Sequence, residues 1–383
     1  MKILVAPNAF KGSLTAQEAA IRISMGARRA APHAETICIP LSDGGDGFID
    51  VLAHTLKGRM QHLTVRGPLG NPINARYFLD EDRVQAHIEM AQASGLMRIH
   101  AEERDPMLTS TFGTGELMAN AVGQGVKHLV IGLGGSATCD GGAGMACALG
   151  ARFLDSEDNA FEPTGGTLER IMRIDTRRLQ DRLAGTVIEV ICDVDNPLLG
   201  DYGAAHVYAP QKGAAPEQVE ALERGLCHLA RVVLRDVGKD MRTPSGGGAA
   251  GGLGAGLFAF TGARLQPGAD VVLDLLGVEQ AMENARLVLT GEGSLDVQTL
   301  SGKAPARIAA MAMKKGIPCI ALVGLLEGEM GLFARAGFVA VHPLCREGVS
   351  RQQAMEQAGD RLAAAAEQTV RDQLTESRDN PNR

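Results

Sequence analysis

Residues 126–150 constrain the fold more than any other stretch. They read Val126-Lys-His-Leu-Val-Ile-Gly-Leu-Gly-Gly-Ser-Ala-Thr-Cys-Asp-Gly-Gly-Ala-Gly-Met-Ala-Cys-Ala-Leu-Gly150. Leu129, Val130 and Ile131 form a short apolar run rich in β-branched residues, the pattern of a buried strand. Gly132, Gly134 and Gly135 then let the backbone turn sharply and approach a ligand closely. Ser136, Thr138 and Asp140 are cap candidates for a helix that continues through Met145 to Leu149. Strand, glycine turn and helix N-terminus together make an anion site, because free amides and the positive end of the helix dipole face one point. The reading is a phosphate cradle at Gly134, Gly135 and Ser136. Plain turn chemistry is the competing reading. Gly132-Leu-Gly134-Gly-Ser-Ala137 also fits the dinucleotide fingerprint G-x-G-x-x-A, but no acidic residue closes a second strand roughly twenty residues on.

Composition narrows the class. The chain has 383 residues, enough for two domains with a sizeable core. Forty-eight glycines and three per cent aromatics imply tight loops over a small-residue core. A net charge of −7 argues against a nucleic-acid surface and against an anionic membrane. Seven cysteines without a C-x-x-C pair suit reduced thiols, hence a cytoplasmic protein. Nine histidines show neither H-E-x-x-H nor a Cys/His cluster, which argues against zinc. No apolar run reaches membrane length, and the N-terminus enters a strand directly rather than a signal peptide.

Along the chain, strand and helix patterns alternate. Residues 2–6 read as a strand, and Thr15-Ala-Gln-Glu18 is a capping box opening a helix through Arg29. Lys11 therefore falls where a strand hands over to a helix, the ligand edge of open parallel sheets. The strand at 37–41 runs into Ser42-Asp-Gly-Gly-Asp-Gly47, where Asp43 and Asp46 flank a glycine pair. Carboxylates there suit Mg²⁺, and an Asx-turn with an N-cap is the alternative. Residues 63–104 turn hairpin-like, which predicts the start of a second domain. Glu89 ends a strand there, either as a ligand-facing acid or as partner to a backbone amide.

The strand at 187–192 ends in Asp193-Val-Asp195, two acids on one face because the strand period is two. Ser245 to Gly256 reads as a glycine-lined loop opening a packed helix rather than a flexible linker. The strand at 285–290 leads into a carboxyl-end loop, Gly291-Glu-Gly-Ser-Leu-Asp296, and Lys303 and Pro305 open the next helix. An alanine-rich helix over 349–374 closes the fold, and the polar tail from Thr375 reads as disordered.

Taken as an ordered set, these loops resemble the bacterial glycerate kinase family. The matching pieces begin with Ala6-Pro-Asn-Ala-Phe-Lys-Gly-Ser-Leu14, Asp43-Gly-Gly-Asp-Gly47, Gly67-Pro-Leu-Gly70 and Glu89-Met-Ala-Gln-Ala-Ser-Gly-Leu96. They continue with Gly113-Thr-Gly-Glu-Leu117, Gly134-Gly-Ser-Ala-Thr-Cys-Asp-Gly-Gly142, Cys192-Asp-Val-Asp-Asn-Pro-Leu198 and Gln211-Lys-Gly213. Ala249-Ala-Gly-Gly252 and Thr290-Gly-Glu-Gly-Ser-Leu-Asp-Val-Gln298 complete the set. The chain departs from the family's frequent residues at Asn8, Ala9, Asp46, Cys139 and Ser294.

The resemblance implies an α/β fold: a discontinuous flavodoxin-like parallel-sheet domain with an inserted α/β domain. The switch in patterning assigns 1–62, 105–135 and 284–383 to the first domain. It leaves 63–104 and 136–283 to the second, with the site expected in the cleft. The implied activity is ATP-dependent phosphorylation of D-glycerate at the 2-hydroxyl, with Mg²⁺ and with a homodimer left open. Phosphoryl transfer suits such loops, because it needs phosphate cradles and a metal held by carboxylates. There is no G-x-x-x-x-G-K-[ST], so the chain is not a P-loop kinase. Within the shared motifs Lys11, Asp193 and Asp296 are the catalytic candidates, with Asp296 favoured as base. Gly134, Gly135, Ser136, Glu292 and Lys303 fall to the nucleotide phosphates, Ser13 and Glu89 to the substrate, and Asp43 and Asp46 to the metal. The competing functions are an NAD-dependent dehydrogenase of a small hydroxy acid and a small-anion binding protein.

Overall fold

The computed structural model describes residues 1–45, 47–82, 84–297, 299–345 and 351–379. They form two compact units: Met1–Asp43 with Gly268–Arg383, and Gly44–Pro267.

The first unit is built on a parallel five-stranded sheet. Its strands lie in the order Phe338–Pro343, Cys319–Leu326, Ala285–Leu295, Lys2–Pro7, Glu35–Cys38. Counted in chain order within the unit this is 2-1-3-4-5, the flavodoxin-like arrangement, and the winding reverses between Lys2–Pro7 and Ala285–Leu295. The helix Ala16–Ala30 starts with the expected capping box: Thr15 Oγ1 accepts from the Glu18 amide at 3.2 Å, and Glu18 Oε2 accepts from the Thr15 amide at 2.9 Å. Ile23 and Ala27 of that helix pack with Ile3, Val5, Leu287, Leu322 and, from the helix Ala358–Asp379, Leu362 and Ala366. A side chain at Gly26 would meet the Ala363 carbonyl at 2.0 Å, so only glycine lets these two helices approach so closely. The core reaches its density with small residues, which is where the shortage of aromatics leads.

The second unit carries a six-stranded sheet in the order Arg264–Pro267, Val187–Cys192, His128–Gly132, Gln85–Glu89, Pro72–Asp80, Gly58–Arg66. The first four are mutually parallel, and the last two pair antiparallel as a hairpin. A small antiparallel sheet of Ala160–Phe161, Arg152–Leu154 and Arg173–Asp175 is added to it. No helix among the described residues is long and apolar enough to cross a membrane.

The boundaries differ from those read in the sequence. Residues 44–62 and 105–135, assigned above to the first domain, belong to the second unit, and 268–283 belong to the first. The reason is that parallel pairing recurs in both sheets, so the change from βα to hairpin patterning does not mark a border. His128–Gly132 pairs with Gln85–Glu89 on one side and Val187–Cys192 on the other. The helix Gly268–Leu275 is tied to the first unit, where Asp270 meets Arg307 at 3.1 Å. The strand expected to stop at Thr290 runs to Leu295, because Glu292, Ser294 and Leu295 continue in register with Val323, Leu325 and Leu326.

Candidate active site

In the first unit, the loop after Lys2–Pro7 and the end of Ala285–Leu295 flank the point where the winding reverses. Adjacent connections diverge there and leave a crevice at the carboxyl edge. A cavity of about 320 Å³ occupies it, lined among others by Asn8, Lys11, Ser13, Asp43, Glu292, Asp296 and Lys303. Six residues singled out from the sequence thus come together: Lys11, Ser13, Asp43, Glu292, Asp296 and Lys303. Lys11 is exposed on its loop, and Lys303 stands at the N-cap of the helix Ala304–Lys314, at the positive end of its dipole.

Glu292 is the buried member, 6 % exposed. Its Oε1 accepts from the Thr299 hydroxyl at 2.9 Å. Burial pushes its carboxyl up to about 7, against the Thr299 hydrogen bond and Lys303 and with the help of Asp43 and Asp296. Asp296 is engaged locally, its Oδ1 accepting from the Thr299 amide at 2.8 Å. A buried carboxyl titrating near neutrality in a cavity also lined by two lysines is equipped to exchange a proton with a bound hydroxyl.

The glycine stretch lies in the second unit and is built differently from the cradle expected of it. The helix begins at Ala143, not beside Ser136. Its leading amides are taken: Gly142 and Gly144 donate to the Asp140 carboxylate at 3.1 Å each, and Met145 donates to Thr111 Oγ1 at 2.9 Å. Asp140 also accepts from the amide and hydroxyl of Thr111, so four donors hold its ionised form while burial pushes its pKa up. This helix N-terminus therefore offers no anion site, and the dinucleotide fingerprint has no helix to open. Gly132 and Gly134 are glycine for a nearer reason. A side chain on either would collide with the Gly44 carbonyl or the Gly45 Cα, each 2.3 Å away, so the two glycine loops pack on each other.

Glu89, Gly134–Ser136 and Asp193 nevertheless share the carboxyl edge of the second sheet. Glu89 and Ile191 both pair with Gly132; Gly134 lies two residues beyond Gly132, and Asp193 two beyond Ile191. Glu89 is buried at 3 % exposure. Asp46 lies outside the described residues.

One residue in this edge escaped the sequence reading. Lys212, 2 % exposed, donates from Nζ to Ser136 Oγ at 2.8 Å and to the Thr138 carbonyl at 2.7 Å. Burial lowers its pKa against the pull of Cys139 and Asp140. Its only signal was the motif Gln211-Lys-Gly213, and a lone lysine beside a glycine reads as solvated.

A flavodoxin-like sheet whose switch-point cavity is lined by lysines and carboxylates is the build of an α/β enzyme that acts on small anions. The comparisons define which. Residues 3–374 match the model of the glycerate kinase family. The chain is 43 % identical over 365 residues to the glycerate kinase of Halalkalibacterium halodurans, covering 95 % of this chain and 96 % of that protein. It is 40 % identical over 366 residues to the glycerate 2-kinase of Escherichia coli K12, covering 96 % of each. A crystal structure from Salmonella typhimurium LT2, described as a glycerate kinase 2, superposes with a TM-score of 0.87 at 42 % identity and 99 % coverage of both chains. The chain belongs to the glycerate kinase family. It is thereby an enzyme, a phosphotransferase with glycerate as its acceptor, and the dehydrogenase and binding-protein readings fall away.

Proposed function

We propose that the chain transfers the γ-phosphoryl group of ATP to the 2-hydroxyl of D-glycerate in the cytoplasm, giving 2-phosphoglycerate. The observation that carries this reading is the switch-point cavity, lined by Lys11 and Lys303 together with Glu292, Asp296 and Asp43. Two ammonium groups offset the charge that spreads over a transferring phosphoryl group, and little covalent work is left for the protein. The E. coli relative's name, glycerate 2-kinase, supports the position of attack.

Glu292 is the proton acceptor in this scheme. Its carboxyl titrates near neutrality because it is buried, which matches it to accepting a hydroxyl proton. Asp296 positions Thr299, whose hydroxyl holds Glu292. Asp193, at the edge of the second sheet, is the alternative acceptor. Gly134, Gly135 and Ser136 are assigned to phosphate, and Ser13 and Glu89 to glycerate, as read from the sequence.

Mg²⁺ binds through one or two carboxylates plus waters and substrate phosphates rather than through a complete protein cage. Among the described residues no grouping of three or more His, Cys, Asp or Glu forms such a cage, and Asp43 with Asp296 in the cavity suits the smaller share. When bound, the ion neutralises phosphate charge. Asp43 is the proposed ligand within the described residues, and Asp46 the second.

The test is turnover of the purified chain with ATP, Mg²⁺ and D-glycerate, the product being fed directly to a 2-phosphoglycerate dehydratase. Dehydration without an added phosphoglycerate mutase supports attack at the 2-hydroxyl. A strict need for the mutase assigns the 3-hydroxyl instead.

A further inference from the structure

The cavity changes character along its length. At the switch point it is charged. Beside the outer strands Cys319–Leu326 and Phe338–Pro343 its wall is Leu325, Leu344 and Cys345, and Ala354, Met355 and Ala358 complete it, Met355 abutting Gly12. Resting on the ATP-dependent reading above, we propose that this apolar wall is the subsite for the nucleoside of the phosphoryl donor, with its phosphates at Lys303 and Lys11 of the same cavity.

Glycerate does not account for that wall. A three-carbon acid bearing a carboxylate and two hydroxyls has no apolar surface to bury, and facing it with leucine, methionine and alanine strips water from polar groups without return. A purine is the opposite case. It is flat and apolar on both faces, and its polar atoms lie at its edge. Met355 suits such a face, because an unbranched thioether adapts its shape and contacts π systems favourably. Ala354 and Ala358, next to it along the helical wall, are small enough to leave the space open. Met355 is 36 % exposed and abuts Gly12, which has no side chain to displace it, so it can shift as a ligand enters. The backbone beneath is closed: the Leu344 amide donates to the Val323 carbonyl at 2.7 Å, and the Cys345 amide to the Gly324 carbonyl at 3.1 Å. Shape and apolar contact, rather than those two amides, therefore hold the base. The charged end meets the remaining need of a nucleotide, cations for its phosphates.

The experiment compares Met355→Trp, which fills the subsite, with Met355→Ala, which enlarges it. The readouts are KM for ATP, KM for glycerate and the inhibition constant of tripolyphosphate, a donor fragment without a base. The fold of each variant is checked by circular dichroism. Met355→Trp is expected to raise KM for ATP by about tenfold or more, and to leave KM for glycerate and tripolyphosphate inhibition within about twofold. Lys303→Ala, in contrast, weakens ATP and tripolyphosphate together. An unchanged KM for ATP in folded Met355→Trp overturns the proposal, as does a selective rise in KM for glycerate, which would make this the acceptor pocket. Should the tryptophan variant fail to fold, Met355→Ala carries the same comparison with a smaller loss. Turnover of the unsubstituted enzyme with ATP tests the parent reading separately. If it is absent, the subsite stands or falls on whether Met355→Trp weakens binding of adenosine measured by calorimetry.

Discussion

The hydroxyl of Thr299 lies 2.9 Å from Oε1 of Glu292, on the one side of that carboxyl where a hydrogen bond favours its charge. Oδ1 of Asp296 is 3.3 Å from the same hydroxyl, and one proton cannot serve both. Burial outweighs this support and holds Glu292 near 7. In the unfolded chain its carboxyl returns to about 4.5. The folded state thus binds the extra proton between these values, and the group's contribution to stability is complete below 4.5 and lost as pH rises through 7. The full swing is on the order of 3 kcal/mol, an upper bound for a group at a cavity wall. Glu292→Gln removes the titration. Its melting temperature is expected to gain on the unsubstituted enzyme between pH 5 and pH 8, in paired thermal melts. Parallel curves would show that Glu292 ionises normally.

The same substitution separates stability from catalysis. With the proton acceptor gone, kcat should fall by roughly 10²–10⁴ while ATP affinity stays nearly intact. The acidic limb of the pH profile, expected near 7 in the unsubstituted enzyme, should disappear. Asp296→Asn is expected to cost less, because it disturbs Glu292 only through Thr299. If Glu292→Gln keeps near-normal turnover and Asp193→Asn does not, the acceptor is Asp193.

What the sequence revealed of this arrangement depends on the range of the interactions. The capping box at Thr15 and Glu18, the loop that carries Lys11 and the helix start at Lys303 are local, and they were legible. The packed loop before Leu253 was also legible, since Ala249-Ala-Gly-Gly252 is buried and Gly251 lies too close to the Thr138 carbonyl for any side chain. The cradle was not. Gly132-Leu-Gly134-Gly135 has the composition of a ligand loop, but the atoms that come close are those of Gly44 and Gly45, almost ninety residues earlier in the chain. Domain borders failed for a similar reason, because a parallel strand looks the same in either sheet. Lys212 and Thr299 matter only through partners that spacing does not reveal.

Acid sensitivity should centre on His87. Its ring lies between Phe48 and Phe78, with centroids at 6.2 and 5.8 Å, and it is 1 % exposed. Burial, with a smaller push from His128, lowers its pKa to about 4 from 6.5. Between those values the unfolded chain binds the proton and the folded chain does not, so stability is lost as pH falls from 6.5 toward 4, by roughly 3 kcal/mol in all. Urea unfolding at pH 7.5 and 5.0 should show this loss, and His87→Leu should shrink it. An equal loss in the leucine variant would place the sensitivity elsewhere.

Lys212 poses the sharper question of why a lysine is buried at all. Its ammonium is held by two neutral groups, the Ser136 hydroxyl and the Thr138 carbonyl, which compensate a buried charge only in part. Two of its three donors are used there, and among the described residues the third has no hydrogen-bond acceptor. If its role were structural, Lys212→Met would leave the Thr138 carbonyl unpaired and cost about 1–3 kcal/mol, with activity intact in whatever fraction folds. If the charge is kept for phosphate chemistry beside Ser136, removing it relieves the burial penalty as it removes the function. The expected outcome is the second: a melting temperature equal to or above that of the unsubstituted enzyme, with kcat reduced by about a hundredfold. Lys212→Arg should not restore turnover, because the planar guanidinium does not fit a space shaped around a single ammonium. A destabilised Lys212→Met with full specific activity would make the residue a scaffold and return the loop at Gly134 to plain turn chemistry.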